Sequence, residues 1–327
     1  MVQTPLGIRN EGDVLAVPAV DSPGNQVMEK ALGWIMANLD FFNPLIKVTQ
    51  IEERRIKAFS ELLIMAKLMM RYGGEVSQPP LSDIIGFAEN ILGHPTFEHG
   101  IRRAPMDDTF RLLRMYIDRE TWYGPDPQKR QEIQQGIDAD LVFMKEAAPF
   151  QTMELLDSLE YGGYRHQLPD YSSLYRQSVA YRLPSVLSIP HFDTYVITHV
   201  LFYLSDWGLG DPAPVLEDRI EDTYEFVKLM LGLALRDHDW DLVAELLMCF
   251  RCLNRPPGLL ADLAWQGLAG AQTEGGNIPN TKRFDPSSLL LRNPETAAQY
   301  EFDTTYHSTL VTILAGLFAG PRSISEG

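Results

Sequence analysis

The side chains best suited to chemistry gather in one run, His191-Phe192-Asp193-Thr194-Tyr195-Val196-Ile197-Thr198-His199-Val200-Leu201-Phe202-Tyr203-Leu204-Ser205-Asp206. At about 100° per residue, a helix places Tyr195, Thr198, His199, Phe202 and Asp206 on one face, with His191 just before its start. A polar stripe thus interrupts an apolar helix. A single histidine there would read as a core residue bonded to its neighbours. Four polar groups together suggest a site in which His199 exchanges a proton with a substrate.

Asp193 and Asp303 each follow a phenylalanine and precede a threonine, where an N-cap residue would sit and accept hydrogen bonds from the first-turn amides. Capping is the plainer reading of both. A helix start facing a cavity also presents amides and a positive dipole end, which suit an anionic group. His307 falls one turn inside the second such helix, beside Tyr306, and could meet the first stripe across a shared space. Glu61 is embedded in Ala58-Phe59-Ser60-Glu61-Leu62-Leu63-Ile64-Met65. Turned inward, its carboxyl would have a raised pKa and could act as acid or base; turned outward it is a solvated surface group. Arg102 and Arg103 could clamp a carboxylate or sulfate through a bidentate fork, although such pairs are more often surface. Tyr161-Gly162-Gly163-Tyr164-Arg165-His166 reads as a loop over a site or as a plain surface turn.

Other chemistries find no support in the residue pattern. His191 and His199 are separated by roughly 12 Å along a helix axis, whereas same-helix zinc ligands lie one turn apart. The chain has no His-Glu-x-x-His, calcium loop, phosphate loop, dinucleotide fingerprint or Gly-x-Ser-x-Gly elbow. A site free of metal and cofactor is expected. Cys249-Phe250-Arg251-Cys252 matches redox spacing, but it sits late in its helix, far from the N-terminal dipole that would activate a thiol. Core packing is the better account.

The elements carrying these residues are helical throughout. Apolar residues at Val27, Met28, Ala31, Leu32, Ile35, Met36 and Leu39 follow the i, i+3, i+4, i+7 rule. A helix over 51–72 stops at Gly73-Gly74, and Pro79-Pro80 with Ser82 as N-cap opens the next, to about Leu92. Others are expected near 106–120, 127–147, 150–161, 170–182, 193–207, 215–235, 238–253, 257–271 and 303–319, about twelve in all. No pair of alternating β-branched runs flanks a tight turn, so the class is all-α. Residues 1–24 read as an N-terminal arm and 25–327 as one domain, since no linker-like tract divides them.

Charge narrows the partners. The 28 Lys+Arg against 44 Asp+Glu give net charge −16, a field that repels nucleic acid phosphates and anionic lipid. Neither nucleic acid nor a membrane is expected as a partner. With two cysteines, no signal-peptide pattern and no long apolar run, the expected compartment is the reducing cytoplasm.

Helices joined by short Pro/Gly turns pack as antiparallel hairpins, and a dozen can close into an α/α toroid of inner and outer helices or extend as a solenoid. The echo of Phe192-Asp193-Thr194 by Phe302-Asp303-Thr304 favours equivalent elements of a ring. Gln272-Thr273-Glu274-Gly275-Gly276 resembles the Gln-x-x-x-Gly turn of terpenoid-cyclase-like toroids, without their closing tryptophan.

Taken together, the run His191 to Gly208, the late Tyr306-His307-Ser308-Thr309 and the early Ala31-Leu32-Gly33-Trp34 resemble a mainly actinobacterial family of toroid-like proteins found in natural-product gene clusters. Within it, the similarity is to aziridine-forming enzymes. The resemblance spans about residues 25 to 320. It implies an intramolecular substitution in which an amine displaces a sulfate ester to close a three-membered ring and build an azabicycle. It also implies a polar amino-acid-derived substrate, borne on a carrier protein or free, and a small partner subunit. In such a reaction His199 or Asp193 would be the base, and His307, Tyr195 and Arg103 would receive the leaving group. His191, Asp206, Asp303, Tyr306 and Glu61 would complete the binding surface. A non-catalytic binding scaffold and a glycan-active toroid with two carboxylates across its cavity are the competing expectations.

Overall fold

The computed structural model describes residues 23–47, 50–97, 106–140 and 147–319. Fifteen α-helices account for most of them. The first, α1 (Pro23–Ala37), leads through a 3-10 turn (Leu39–Phe42) into a small antiparallel ladder of β1 (Leu45–Lys47) and β2 (Gln50–Ile51). Then follow α2 (Glu53–Arg71), α3 (Leu81–Leu92), α4 (Met106–Tyr123), α5 (Pro127–Asp138) and α6 (Pro149–Tyr161). The short α7 (Tyr171–Gln177) and α8 (Val179–Arg182) precede α9 (His191–Leu204), α10 (Ala213–Leu216) and α11 (Ile220–Arg236). The chain continues through α12 (Trp240–Cys252), α13 (Leu259–Ala271), α14 (Ser287–Leu290) and α15 (Pro294–Ala319). The all-α class follows from the 3.6-residue period; the β1–β2 ladder escaped notice because it is too short to show alternation. Among the described residues, no helix is long and apolar enough to cross a membrane.

Six helices touch one another in a closed cycle: α15 on α2, α2 on α4, α4 on α6, α6 on α9, α9 on α12, and α12 back on α15. Outside it, α1 packs on α15 and α13, while α11 packs on α12 and α13. The inner position of α15 accounts for its composition. Every residue from Ser308 to Gly316 is buried, so no solvent face exists to be polar. Thr305, Ser308, Thr309 and Thr312 occupy this interior because their hydroxyls donate to carbonyls three or four residues back.

Several boundaries depart from the sequence expectation. Phe302-Asp303-Thr304 does not begin a helix. It lies in the middle of α15, which starts where Asn293 Oδ1 accepts from the Thr296 amide at 2.9 Å and Pro294 takes the first position. The echo with Phe192-Asp193-Thr194 therefore does not mark two equivalent helix starts. Asp193 is also no cap: Pro190 occupies that position, and Asp193 sits in the first turn. Ser82 lies inside α3, whose cap position is Pro80. The helix over 170–182 is broken at Ser178, whose extended backbone separates α7 from α8. α9 stops at Leu204 because Asp206, Trp207 and Gly208 all take positive φ.

Charges are buried where inner helices meet. Lys67 of α2 places Nζ 2.5 Å from Asp118 Oδ1 of α4, and each side chain is 2% exposed. Arg114 donates to Glu154 of α6 at 2.6 Å, so one connected set of ion pairs ties α2, α4 and α6. Asp157 lies close by and accepts from Trp207 Nε1 at 3.2 Å. Burial pushes its carboxyl up to about 6, against the lowering effect of Lys67 and Arg114.

The glutamine-glycine turn after α13 is a fastening. Gln272 Nε2 donates to the carbonyls of Val27 and Gly276 at 2.9 and 2.8 Å. The fully buried Asn277 donates to Glu301 and Thr305, and the Ile278 amide to Thr309 Oγ1. The strap following α13 is thereby anchored to α1 and α15. Gly276 has φ +100, and a Cβ there would overlap the Lys30 carbonyl oxygen. Gly276→Ala is expected to lower stability by about 1–3 kcal/mol, measured by urea unfolding. A loss under half a kcal/mol, on the order of an ordinary surface change, would show that the strap does not depend on this contact.

Candidate functional site

All six helices of the cycle contribute to one cavity of about 600 Å³, a volume within the range of small-molecule sites. α2 supplies Lys57 and Glu61; α4 supplies Arg111 and Arg114; α6 supplies Phe150 and Glu154. α9 gives His191, Phe192, Tyr195, His199, Phe202 and Tyr203; α12 gives Asp241, Glu245 and Met248; α15 gives Asp303, Tyr306 and His307. Lys282 and Arg283 of the strap complete the rim.

His307 has carboxylates on both sides of its ring. Nδ1 lies 3.3 Å from Glu61 Oε2, while Nε2 lies 3.7 Å from Asp241 Oδ1 and 3.7 Å from Glu245 Oε1. Burial opposes charging of this imidazole, yet Asp241, Glu61 and Glu245 together hold its pKa well above the ordinary value. These carboxylates favour its imidazolium form. Burial would also raise the Glu61 carboxyl, but His307, Lys57 and a hydrogen bond from Tyr306 bring it down to about 2. The inward placement expected for Glu61 is therefore observed, with its pKa moved in the opposite direction. The reason is the imidazolium, which no local pattern reveals. Asp241 moves upward instead, through burial, His307 only partly offsetting that and Glu245 adding to it.

The carboxylates surround both ring nitrogens and do not converge on one point. Among the described residues, no group of three His, Cys, Asp or Glu side chains could hold a metal ion.

His199 is organised differently. Its Nδ1 lies 2.8 Å from the Tyr195 backbone oxygen, which can only accept, so Nδ1 carries the proton in the neutral ring. Nε2 is then the basic nitrogen. Behind it, Thr198 donates to Glu245 Oε2 at 2.5 Å, and His199 Nδ1 lies 3.7 Å from the same oxygen. Tyr195 donates to Asp241 Oδ2 at 2.9 Å; burial, with Asp241 and Glu245 nearby, raises its phenol pKa. His191 Nε2 lies 2.6 Å from Asp239 Oδ2, which also accepts from Lys282 Nζ at 2.7 Å.

The structure thus brings His191, Tyr195, His199, Glu61, Asp303, Tyr306 and His307 to one cavity wall or another. Asp303 accepts from Gln299 at 2.8 Å, one turn back along α15. Two residues fall elsewhere. Asp206 lies beyond the end of α9 and accepts a bidentate pair from Arg71 at 2.8 and 2.5 Å, because the left-handed turn after Ser205 carries it off the helical face. Asp193 does not line the cavity. Arg102 and Arg103 lie outside the described residues. Of the Tyr161–His166 turn, Arg165 and His166 border a separate hollow of about 510 Å³ with Asp138 and Asp140, and the Gly162 carbonyl accepts from Arg130. Cys249 and Cys252 are fully buried in α12, and burial pushes the Cys252 thiol up to about 12.

Asp241, Glu245, Arg111 and Arg114 are site residues that sequence reasoning missed. Their signal was present: acids at i and i+4 in the apolar helix Trp240–Cys252, and arginines at i and i+3 in an amphipathic one.

The Glu61–His307 pair predicts how stability depends on pH. A carboxyl whose folded pKa is depressed to about 2 contributes stability above its unfolded value near 4.5, and loses it as pH falls towards 2. His307, with a raised folded pKa, contributes fully below about 6.5 and loses its share as pH rises through the higher folded value. Glu61→Gln should lower stability by about 2–3 kcal/mol at pH 5 to 6, with the gap closing towards pH 2 in urea titrations. A gap independent of pH would show that charge on Glu61 is not what matters.

A family model described as a domain of unknown function (DUF6895) matches residues 28–317. Nothing matches among curated proteins or among solved structures.

Proposed function

We propose, from the premise that the chain belongs to the DUF6895 family, that it is a biosynthetic enzyme acting by acid and base catalysis on a small polar, amino-acid-derived molecule. The reaction is an intramolecular cyclisation in which a substrate amine displaces a sulfate ester, closing an aziridine within an azabicycle of the azinomycin type. It requires no cofactor. The closed cycle of inner helices supports reading the architecture as an α/α toroid. The observation that carries the reading is one cavity holding both a histidine whose basic nitrogen is Nε2 and an imidazolium set among three carboxylates.

In this scheme His199 Nε2 takes the proton from the substrate ammonium, freeing the nitrogen lone pair. That lone pair attacks the carbon bearing the sulfate; the C–O bond breaks and sulfate departs with its electron pair. Protonated His307 supplies positive charge close to the reacting centre. The walls hold amine and carbon in line, and intramolecular geometry of this kind contributes up to about 7–11 kcal/mol in favourable systems. The substrate arrives free or on a carrier protein in the cytoplasm, and a small partner subunit belongs to the same reading.

The test is to incubate the purified chain with an amino acid bearing a vicinal amine and sulfate ester. Inorganic sulfate is measured by ion chromatography and the aziridine by NMR. Stoichiometric release of both supports the reading; sulfate release at the uncatalysed rate overturns it. A second reading follows from the opposed pKa shifts of Glu61 and Asp241, a pattern that glycosidases use to separate acid from base. Hydrolysis of an oligosaccharide panel would favour it.

A further inference from the structure

Two side chains that line the cavity carry polar atoms without a hydrogen-bond partner. Asp241 Oδ1 is one, on a side chain 7% exposed; its nearest cation, His307 Nε2, stands 3.7 Å away, too far for a hydrogen bond. Arg114 Nε and Nη2 are the others, on a side chain 5% exposed whose Nη1 is already committed to Glu154. A buried acceptor or donor without a partner costs on the order of 1–3 kcal/mol, so its retention calls for an explanation.

Their placement supplies one. In the cycle α15, α2, α4, α6, α9, α12, the helices carrying Arg114 and Asp241 are three steps apart, on opposite sides of the cycle that lines the cavity. The Asp241 wall has Glu245 one turn further along α12, and the His307 imidazolium lies beside both these acids and beside Glu61, which Lys57 also pairs at 3.5 Å. That wall keeps an excess of negative charge. Arg111 stands one turn before Arg114 on the opposite wall. A guanidinium fork of this kind suits an oxyanion, and a carboxylate suits an ammonium.

We infer that the cavity binds a zwitterion lengthwise, its ammonium group on Asp241 and its oxyanion, a sulfate ester or carboxylate, on Arg114. This rests on the proposed cyclisation for its orientation, setting the amine beside His199 and the leaving group on α4, but its binding pattern is independent of turnover.

Calorimetry on the full chain tests it with four unreactive probes: homotaurine, γ-aminobutyrate, propanesulfonate and propylamine. Both zwitterions should bind at least about tenfold more tightly than propylamine and propanesulfonate. Stronger binding of homotaurine than of γ-aminobutyrate marks the oxyanion as a sulfate; the reverse marks it as a carboxylate. The isosteric Asp241→Asn should bring homotaurine down to the affinity of propanesulfonate, and Arg114→Gln should bring it down to that of propylamine. Should Arg114→Gln fail to fold, the wild-type series still decides the anionic pole. Equal affinity for homotaurine and either half-molecule overturns the corresponding pole, and binding of none of the four overturns both. If the probes behave as expected while no sulfate is released from amino sulfates, the cyclisation fails and the zwitterion site stands.

Discussion

Replacing His199 by alanine is expected to slow sulfate release by about 10²–10⁴-fold while shifting the Tm by only a few degrees. The two halves of this expectation have separate origins. The catalytic half comes from the tautomer: with Nδ1 held on the Tyr195 carbonyl, Nε2 is the nitrogen that can accept a proton. The stability half comes from exposure, since about a third of the His199 side chain faces the cavity and its ring leans on Phe202 and Tyr203 without filling the core. Glu245 keeps its Thr198 donor and remains close to His307 in the variant. Free imidazole added to the alanine variant should restore part of the rate, and the restored rate should rise with pH as imidazole loses its proton. Wild-type turnover in the variant would remove His199 from the mechanism. A collapse of the Tm would instead make it a packing residue.

Lys67→Met is the change expected to cost most in stability, about 3–5 kcal/mol by urea unfolding. The pair it breaks has both partners 2% exposed, so Asp118 would keep a buried charge whose remaining cation is Arg114, at 3.7 Å. The double variant Lys67→Met, Asp118→Leu should recover most of the loss, because exchanging a whole buried pair for apolar groups of similar size is often near neutral. A single variant within 1 kcal/mol of wild type, the level of an ordinary surface pair, would mean that the charge is relieved by water or by proton uptake. Function should suffer as well. Arg114 shares Asp118 with Lys67 and lines the cavity, so the loss disturbs the α4 wall of the site.

The all-α class was legible because helical periodicity is a property of neighbours in the chain. Val27 to Leu39 and the stripe on α9 show it at a spacing that strands cannot mimic. Proline and glycine punctuation located most boundaries to within a few residues. It failed at α15, where Asn293-Pro294 is a standard start that the more conspicuous Phe-Asp-Thr run obscured. His199 and His307 were identified as polar residues in apolar helices. Their proximity to a common set of acids was not, since α9, α12 and α15 are far apart in sequence.

Residue type and local spacing determined which side chains could carry protons. Tertiary structure alone decided their charge states. Burial raises both Glu61 and Asp241, yet one ends low and the other high, because His307 and Lys57 outweigh burial at Glu61 while at Asp241 His307 offsets it only in part and Glu245 adds to it. Interaction energy in a poorly screened interior changes steeply over a few ångströms. Such distances are set by how helices pack, which no period along the chain encodes. The same holds for Asp206: the helical wheel aligned it with His199, and a left-handed turn two residues after Leu204 moved it to Arg71.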